Sequence, residues 1–295
     1  MGYIIVKNTL KNFKNILLVI FIGIVLFELF MQLKFIIDDT KNYFISISII
    51  ILVSILYYMF YKWIKSKNII ENKLFSSKKI GFSFSVVIII FSLLTKIALS
   101  SNFSNKTENQ SRIEDLEKNM DIWTNIIRGS VSPAIIEEIC YRGIFYLIIF
   151  TSASILINLN RNYKYIAIAC FLIFSSLFFG FSHVAVSYDF QNIGSYIVSG
   201  IILSVIYILT RNIFIPIIVH ALENFFGVLN RSGYEQFLEK IAIILPILLI
   251  IFLAYWLKKN RHEIGGYGSY IDYKIKKARA KKILKKDAEK RSVLH

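Results

Sequence analysis

Charge is scarce in this chain. Only 18% of its 295 residues are Asp, Glu, Lys or Arg, where a soluble domain carries about a quarter, and that deficit makes a cytosolic globular enzyme a poor fit. Cysteine is nearly missing. Cys140 and Cys170 both fall in apolar stretches, which leaves neither a disulfide framework nor a CxxC metal knuckle. Three prolines and thirteen glycines are too few for a low-complexity architecture. The HExxH pair of zinc-protease helices is absent. Acids are also in deficit, 19 against 35 basic residues, for a formal charge of +16. What is abundant is apolar surface, at 56% of residues with a mean hydropathy of +0.58. It comes in long uncharged runs with the basic residues between them, so the charge follows the positive-inside rule and points to lipid rather than nucleic acid as its partner.

A hydrocarbon core about 30 Å thick requires ~20 apolar helical residues per span. Eight runs qualify, giving an all-α polytopic bundle of about eight spans: 15–31, 44–63, 80–99, 122–150, 165–184, 193–209, 213–229 and 241–257. The fourth is long, and Pro133 makes a break or a helix start natural there. Lys7, Lys11 and Lys14 precede the first run, but no small-residue cleavage site follows, so that span is expected to stay in the mature protein. With eight alternating spans, 25 of the 35 basic residues fall on the side of both termini, which are therefore expected in the cytoplasm. Lys34 is counted in the first outer loop. A longer outer loop, 100–121, is acidic and carries an Asn105-Lys-Thr triplet. The basic tail, 258–295, can adhere to anionic headgroups through an amphipathic stretch at 271–284, or act simply as a solvated topology anchor.

An ionisable group at membrane depth is costly unless it is paired or faces a cavity, so the informative residues lie inside the spans. They cluster. The fourth run holds Glu137, Glu138, Cys140 and Arg142, the fifth ends with Phe179 and His183, and the seventh holds His220 and Asn224. Glu138 and Arg142 are four apart and share a helix face, as a structural ion pair would. Glu137 points about 100° away from Glu138. It is not neutralised by the same arginine and suits a general base for water. His220 and Asn224, again four apart, can aim two donors at one point and hold an oxyanion. His183 is then a partner of Glu137 or a metal ligand. Glu28 and Glu223 are read as hydrogen-bond partners of neighbouring helices, and Cys140 as a packed small residue. Pro133 and Pro216, each four residues before a site residue, could loosen a helix where water must enter. Counted from the span ends, His183 lies near an outer end and His220 about nine residues, ~13 Å, from an inner one. Tilt, a break or shifted boundaries must bring them level.

The strings Glu-Glu-x-x-x-Arg (Glu137, Glu138, Arg142), Phe-x-x-x-His (Phe179, His183) and His-x-x-x-Asn (His220, Asn224) resemble the motifs of the CAAX-prenyl-endopeptidase and bacteriocin-processing (Abi) family of intramembrane proteases. The resemblance covers about 122–230, between three N-terminal spans with their loop (1–121), a last span (231–257) and the tail (258–295). It implies an endopeptidase in which Glu137 and His183 activate water, His220 and Asn224 stabilise the oxyanion, and Glu138, Arg142 and Phe179 support the site. The family has been labelled metal-dependent. Glu137, His183 and His220 could ligate zinc, but with His220 as an oxyanion donor only one histidine remains, which favours a metal-free glutamate site. The implied substrate is a membrane-associated peptide or protein: a peptide signal or bacteriocin to be matured, or a target in self-immunity. Rich Ile, Lys and Asn usage points to an AT-rich bacterial genome and its cell membrane. A non-enzymatic immunity or scaffold protein, and a transporter or channel, are the competing classes; no inverted repeat of broken helices supports the last.

Overall fold

The computed structural model describes residues 2–67, 82–100, 115, 117, 120–160, 162–185 and 188–259. Most of the outer loop, with its Asn105 triplet, and the tail beyond Lys259 lie outside the described residues. Among the described residues eight helices follow one another: α1 (Gly2–Asp39), α2 (Tyr43–Ser66), α3 (Phe82–Ser100), α4 (Ile122 through Leu159), α5 (Tyr163–Val184), α6 (Ile193–Thr210), α7 (Phe214–Arg231) and α8 (Glu235–Lys259). Two compact units are formed, Met1–Ala242 and Ile243–His295. The first contains α1 to α7; of the second, only the last turns of α8 are described.

Among the described residues five helical segments are long and apolar enough to cross a membrane: Phe13–Asp39, Tyr43–Ser66, Ile122–Ile157, Tyr163–Val184 and Phe190–Thr210. The chain is an integral membrane protein. Large side chains such as Phe21, Ile24, Phe44, Ile51, Phe174 and Phe178 stand exposed on these helices, which only a lipid solvent tolerates. The first span runs further than the hydropathy window suggested. Helix α1 continues to Asp39, so Lys34, assigned above to a loop, is helical and inside the span.

α4 is the axis of the first unit, 61% buried in its apolar window against 22–33% for the other four spans. Its apolar segment Ile122–Ile157, 36 residues, is about 54 Å long at 1.5 Å per residue, more than a hydrocarbon core requires. Pro133 does not break it. A π turn at Ile127–Val131 widens the helix just ahead of the proline, and Ser132 Oγ donates to Ile127 O at 2.7 Å within that turn. A second π turn, Ile139–Ile144, follows Glu137 and Glu138 directly. Such turns change which side chains share a face and often mark functional positions. Pro216 is equally harmless, because it sits in the first turn of α7, where backbone N–H groups lack intrahelical partners anyway.

α5 and α6 pack through small residues. Ser175 and Ser204 hydroxyls lie 3.1 Å apart, and Ser175 Oγ also donates to Tyr141 O on α4 at 2.8 Å. A methyl group on Gly200 would stand 2.9 Å from Ser176 Cα, an atom that cannot move aside. This is small-residue packing at membrane depth. Gly200→Ala is therefore expected to destabilise the bundle by about 1–3 kcal/mol through overpacking. Thermal unfolding in detergent checks this, and an unchanged midpoint would contradict the close approach.

Candidate active site

α4 presents Glu137 and Glu138 on successive positions, both buried. Glu138 is the braced one. Its Oε1 accepts from Arg142 Nη1 at 2.9 Å, one turn along α4, as the i, i+4 spacing predicts. The same oxygen accepts from His220 Nδ1–H on α7, also at 2.9 Å. Arg142 Nη2 in turn donates to Gly200 O on α6 at 3.0 Å. Three helices are thus tied through one carboxylate and one guanidinium. The link from Glu138 to His220 is absent from the sequence reading, since 82 residues separate the two.

Phe179 on α5 is the apolar hub. The Arg142 guanidinium lies over its ring, 4.6 Å from the centroid. The His220 ring meets it edge-on at 5.7 Å, and His183 lies 4.5 Å away on its own helix. Tyr196 of α6 stacks on the other side of His183 at 4.6 Å, a wall that no motif announced.

Glu137 approaches the same His220 ring at its other nitrogen. Its Oε2 lies 3.5 Å from His183 Nε2 and 3.9 Å from His220 Nε2, and it has no hydrogen-bond partner. The tautomers follow from the other ring nitrogens. His183 Nδ1 lies 2.7 Å from Phe179 O and must donate to it, while His220 Nδ1 donates to Glu138. In the neutral rings both Nε2 atoms then carry lone pairs. One carboxylate oxygen and two imidazole nitrogens from three helices converge with acceptors only, and a water molecule, which has two hydrogens to give, is a ligand they suit. The depths expected to conflict agree, because α5 ends one residue after His183, level with the middle of α4.

Two expectations change. Glu137, which Arg142 does not neutralise, has a cation of its own: Lys34 Nζ of α1 lies 3.0 Å from its Oε1. His220 is not a ready oxyanion donor in its neutral form, because its one N–H is given to Glu138. Asn224, one turn further along α7, is half-buried and makes no hydrogen bond to a described residue. Glu28 bonds Gln32 on its own helix at 3.0 Å, away from the site. Both cysteines are free thiols, with Cys140 buried in the core.

Residues 119–226 match a protein-family model described as type II CAAX prenyl endopeptidase, Rce1-like. The chain carries an Rce1-like peptidase domain. The domain contains Glu137, Glu138, Arg142, Phe179, His183, His220 and Asn224, and its limits agree closely with the 122–230 expected from the motifs. Lys34 lies outside it. No curated protein and no solved structure matches the chain.

The zinc possibility can be tested against the Rce1-like site itself. Among the described residues no group of three His, Cys, Asp or Glu side chains is arranged to hold a metal ion. The Lys34 ammonium, moreover, already neutralises the one carboxylate that would have to ligate. The residues do not fit a zinc centre, and no step below is routed through one. Treatment with 1,10-phenanthroline is expected to leave peptide cleavage within about twofold of the untreated rate, whereas an enzyme whose metal activates the water loses its activity when the metal is removed. Loss of cleavage that added zinc restores would assign Glu137, His183 and His220 as ligands instead.

Proposed function

We propose that this protein is an intramembrane endopeptidase that hydrolyses a peptide bond of a membrane-associated peptide or protein. The observation that carries the reading is the convergence of Glu137 Oε2 with His183 Nε2 and His220 Nε2, at 3.5 and 3.9 Å, inside a membrane bundle. Structural hydrogen bonding alone would pair these atoms with donors; here each offers a lone pair to the same point.

A water held there donates one hydrogen to Glu137 and is oriented by an imidazole. Glu137 takes the proton as the water oxygen attacks the scissile carbonyl. The negative charge that develops on the carbonyl oxygen is met by the Asn224 carboxamide, and by His220 Nε2–H where that ring has taken up a second proton from bulk water before the substrate binds, with Glu138 balancing the imidazolium. The proton on Glu137 passes to the leaving amine as the C–N bond breaks. Glu138, Arg142 and Phe179 hold the imidazoles at the required angles. The excess of basic residues on one side supports a topology with both ends in the cytoplasm. The remaining apolar helices, α3, α7 and α8, are proposed to complete the eight spans.

The test is cleavage by the full chain reconstituted in liposomes. A library of prenylated CAAX peptides, the substrate class in the family description, and of unmodified hydrophobic peptides is followed by mass spectrometry. Cleavage by wild type that Glu137→Gln lacks supports hydrolysis at this site; cleavage that continues unchanged in the variant removes Glu137 from the chemistry, and a wild type that cleaves no peptide leaves a non-enzymatic binding role.

A further inference from the structure

Lys34 belongs to α1, outside residues 119–226, yet its ammonium reaches the carboxylate at the centre of the domain. The contact is shielded, with the lysine side chain 21% exposed and that of Glu137 3%. A lysine placed in a span for topology alone would turn its head to the interface. This one points inward, and its position is enforced. Arg128 of α4 donates through Nε to Ile37 O at 3.2 Å and through Nη2 to Asp38 O, capping the last carbonyls of α1 and fixing that end against α4. Asp38, one turn beyond Lys34, lies 3.9 Å from the same ammonium and keeps it near.

A carboxylate has two equivalent oxygens, and rotation about its last bond exchanges them. The ammonium on Oε1 removes that equivalence, leaving Oε2 as the oxygen turned to His183 and His220. We propose that Lys34 is a positioning residue of the active site, contributed by the first helix: it holds Glu137 so that one defined oxygen receives the proton from water. The inference rests on the peptidase reading above. It makes α1 part of the working enzyme, although the helix lies outside the recognised domain.

The experiment uses the full chain in liposomes and the library peptide that wild type cleaves fastest. In K34M, kcat is expected to fall about tenfold or more with KM within about twofold, the pattern of an interaction that matters in the transition state. K34R, which keeps a charged donor, recovers most of the loss, and the thermal midpoints of both stay near that of wild type. A raised KM with unchanged kcat overturns the proposal, because the ammonium then binds substrate. A loss of kcat shared equally by K34M and K34R, in step with lost folded protein, overturns it too, because the role is then structural. Should K34M fail to accumulate, K34Q takes its place with the same criteria, and equal kcat in K34Q, K34R and wild type overturns the proposal. Glu137→Gln separates the two levels. If it cleaves like wild type, Glu137 is not the base and the role of Lys34 falls with it; if wild type cleaves no peptide, the peptidase reading falls as well; if Glu137→Gln is inactive while K34M is fully active, only the role of Lys34 falls.

Discussion

Glu137→Gln is expected to abolish cleavage while leaving a folded protein. Glutamine has the shape of glutamate, so its amide oxygen can still accept from Lys34, and its N–H₂ can donate to the His183 and His220 lone pairs that now face Oε2. The site stays closed and better satisfied than before, but it has lost the group that removes a proton from water. General-base catalysis contributes roughly 10²–10⁴-fold. The amide also presents a donor where the water needs an acceptor, so the loss should reach at least about 10³-fold in kcat/KM. Some stability is lost as well, because Lys34 keeps its charge while its closer partner becomes neutral; Asp38, 3.9 Å away, takes up part of it. Steady-state cleavage in liposomes and a thermal midpoint in detergent measure the two effects separately. Activity above about a tenth of wild type would remove Glu137 from the chemistry, since no general base contributes so little.

The helical class and five of the eight expected spans were legible because a bilayer imposes length and hydropathy on each helix. The Glu138–Arg142 pair was legible because i, i+4 neighbours meet on any helix, and the extent of the family match because the motifs are short, ordered and correctly spaced. Contacts between helices were not. The bond from His220 to Glu138 joins α7 to α4 and reverses the tautomer that an oxyanion donor needs. Lys34 was assigned to a loop because an apolar window stops at the first lysine, whereas the helix, capped by Arg128, continues to Asp39. Pro133 suggested a break for a similar reason: local rules treat it as a helix stop, while a π turn ahead of it absorbs the irregularity and keeps α4 continuous. Asn224 shows the limit from the other side. Its spacing from His220 places it on the right face, but its partner is expected only when a substrate carbonyl is present.

Arg142→Met should be the most destabilising single change in the domain. The guanidinium is fully buried and carries three loads at once: Glu138 at 2.9 Å, Gly200 O at 3.0 Å and the face of Phe179. A buried ion pair adds little net stability over a well-packed apolar pair, but removing one partner strands the other charge, at a cost of about 3–5 kcal/mol. In this site the stranded group is Glu138, with only His220 left to bond and its Oε2 already unpartnered. Arg142→Lys is not a conservative replacement, because an ammonium cannot reach a carboxylate and a carbonyl on different helices while lying flat on a ring. The double variant Glu138→Gln with Arg142→Met should be more stable than Arg142→Met alone, because the amide removes the orphaned charge while still accepting from His220 Nδ1–H. That recovery distinguishes a charge effect from simple loss of packing, which the second substitution could not repair. Folded yield and thermal midpoint across wild type, both single variants and the double variant complete the cycle. Strictly additive losses would mean that the two residues do not act as the coupled brace on which the imidazole geometry depends.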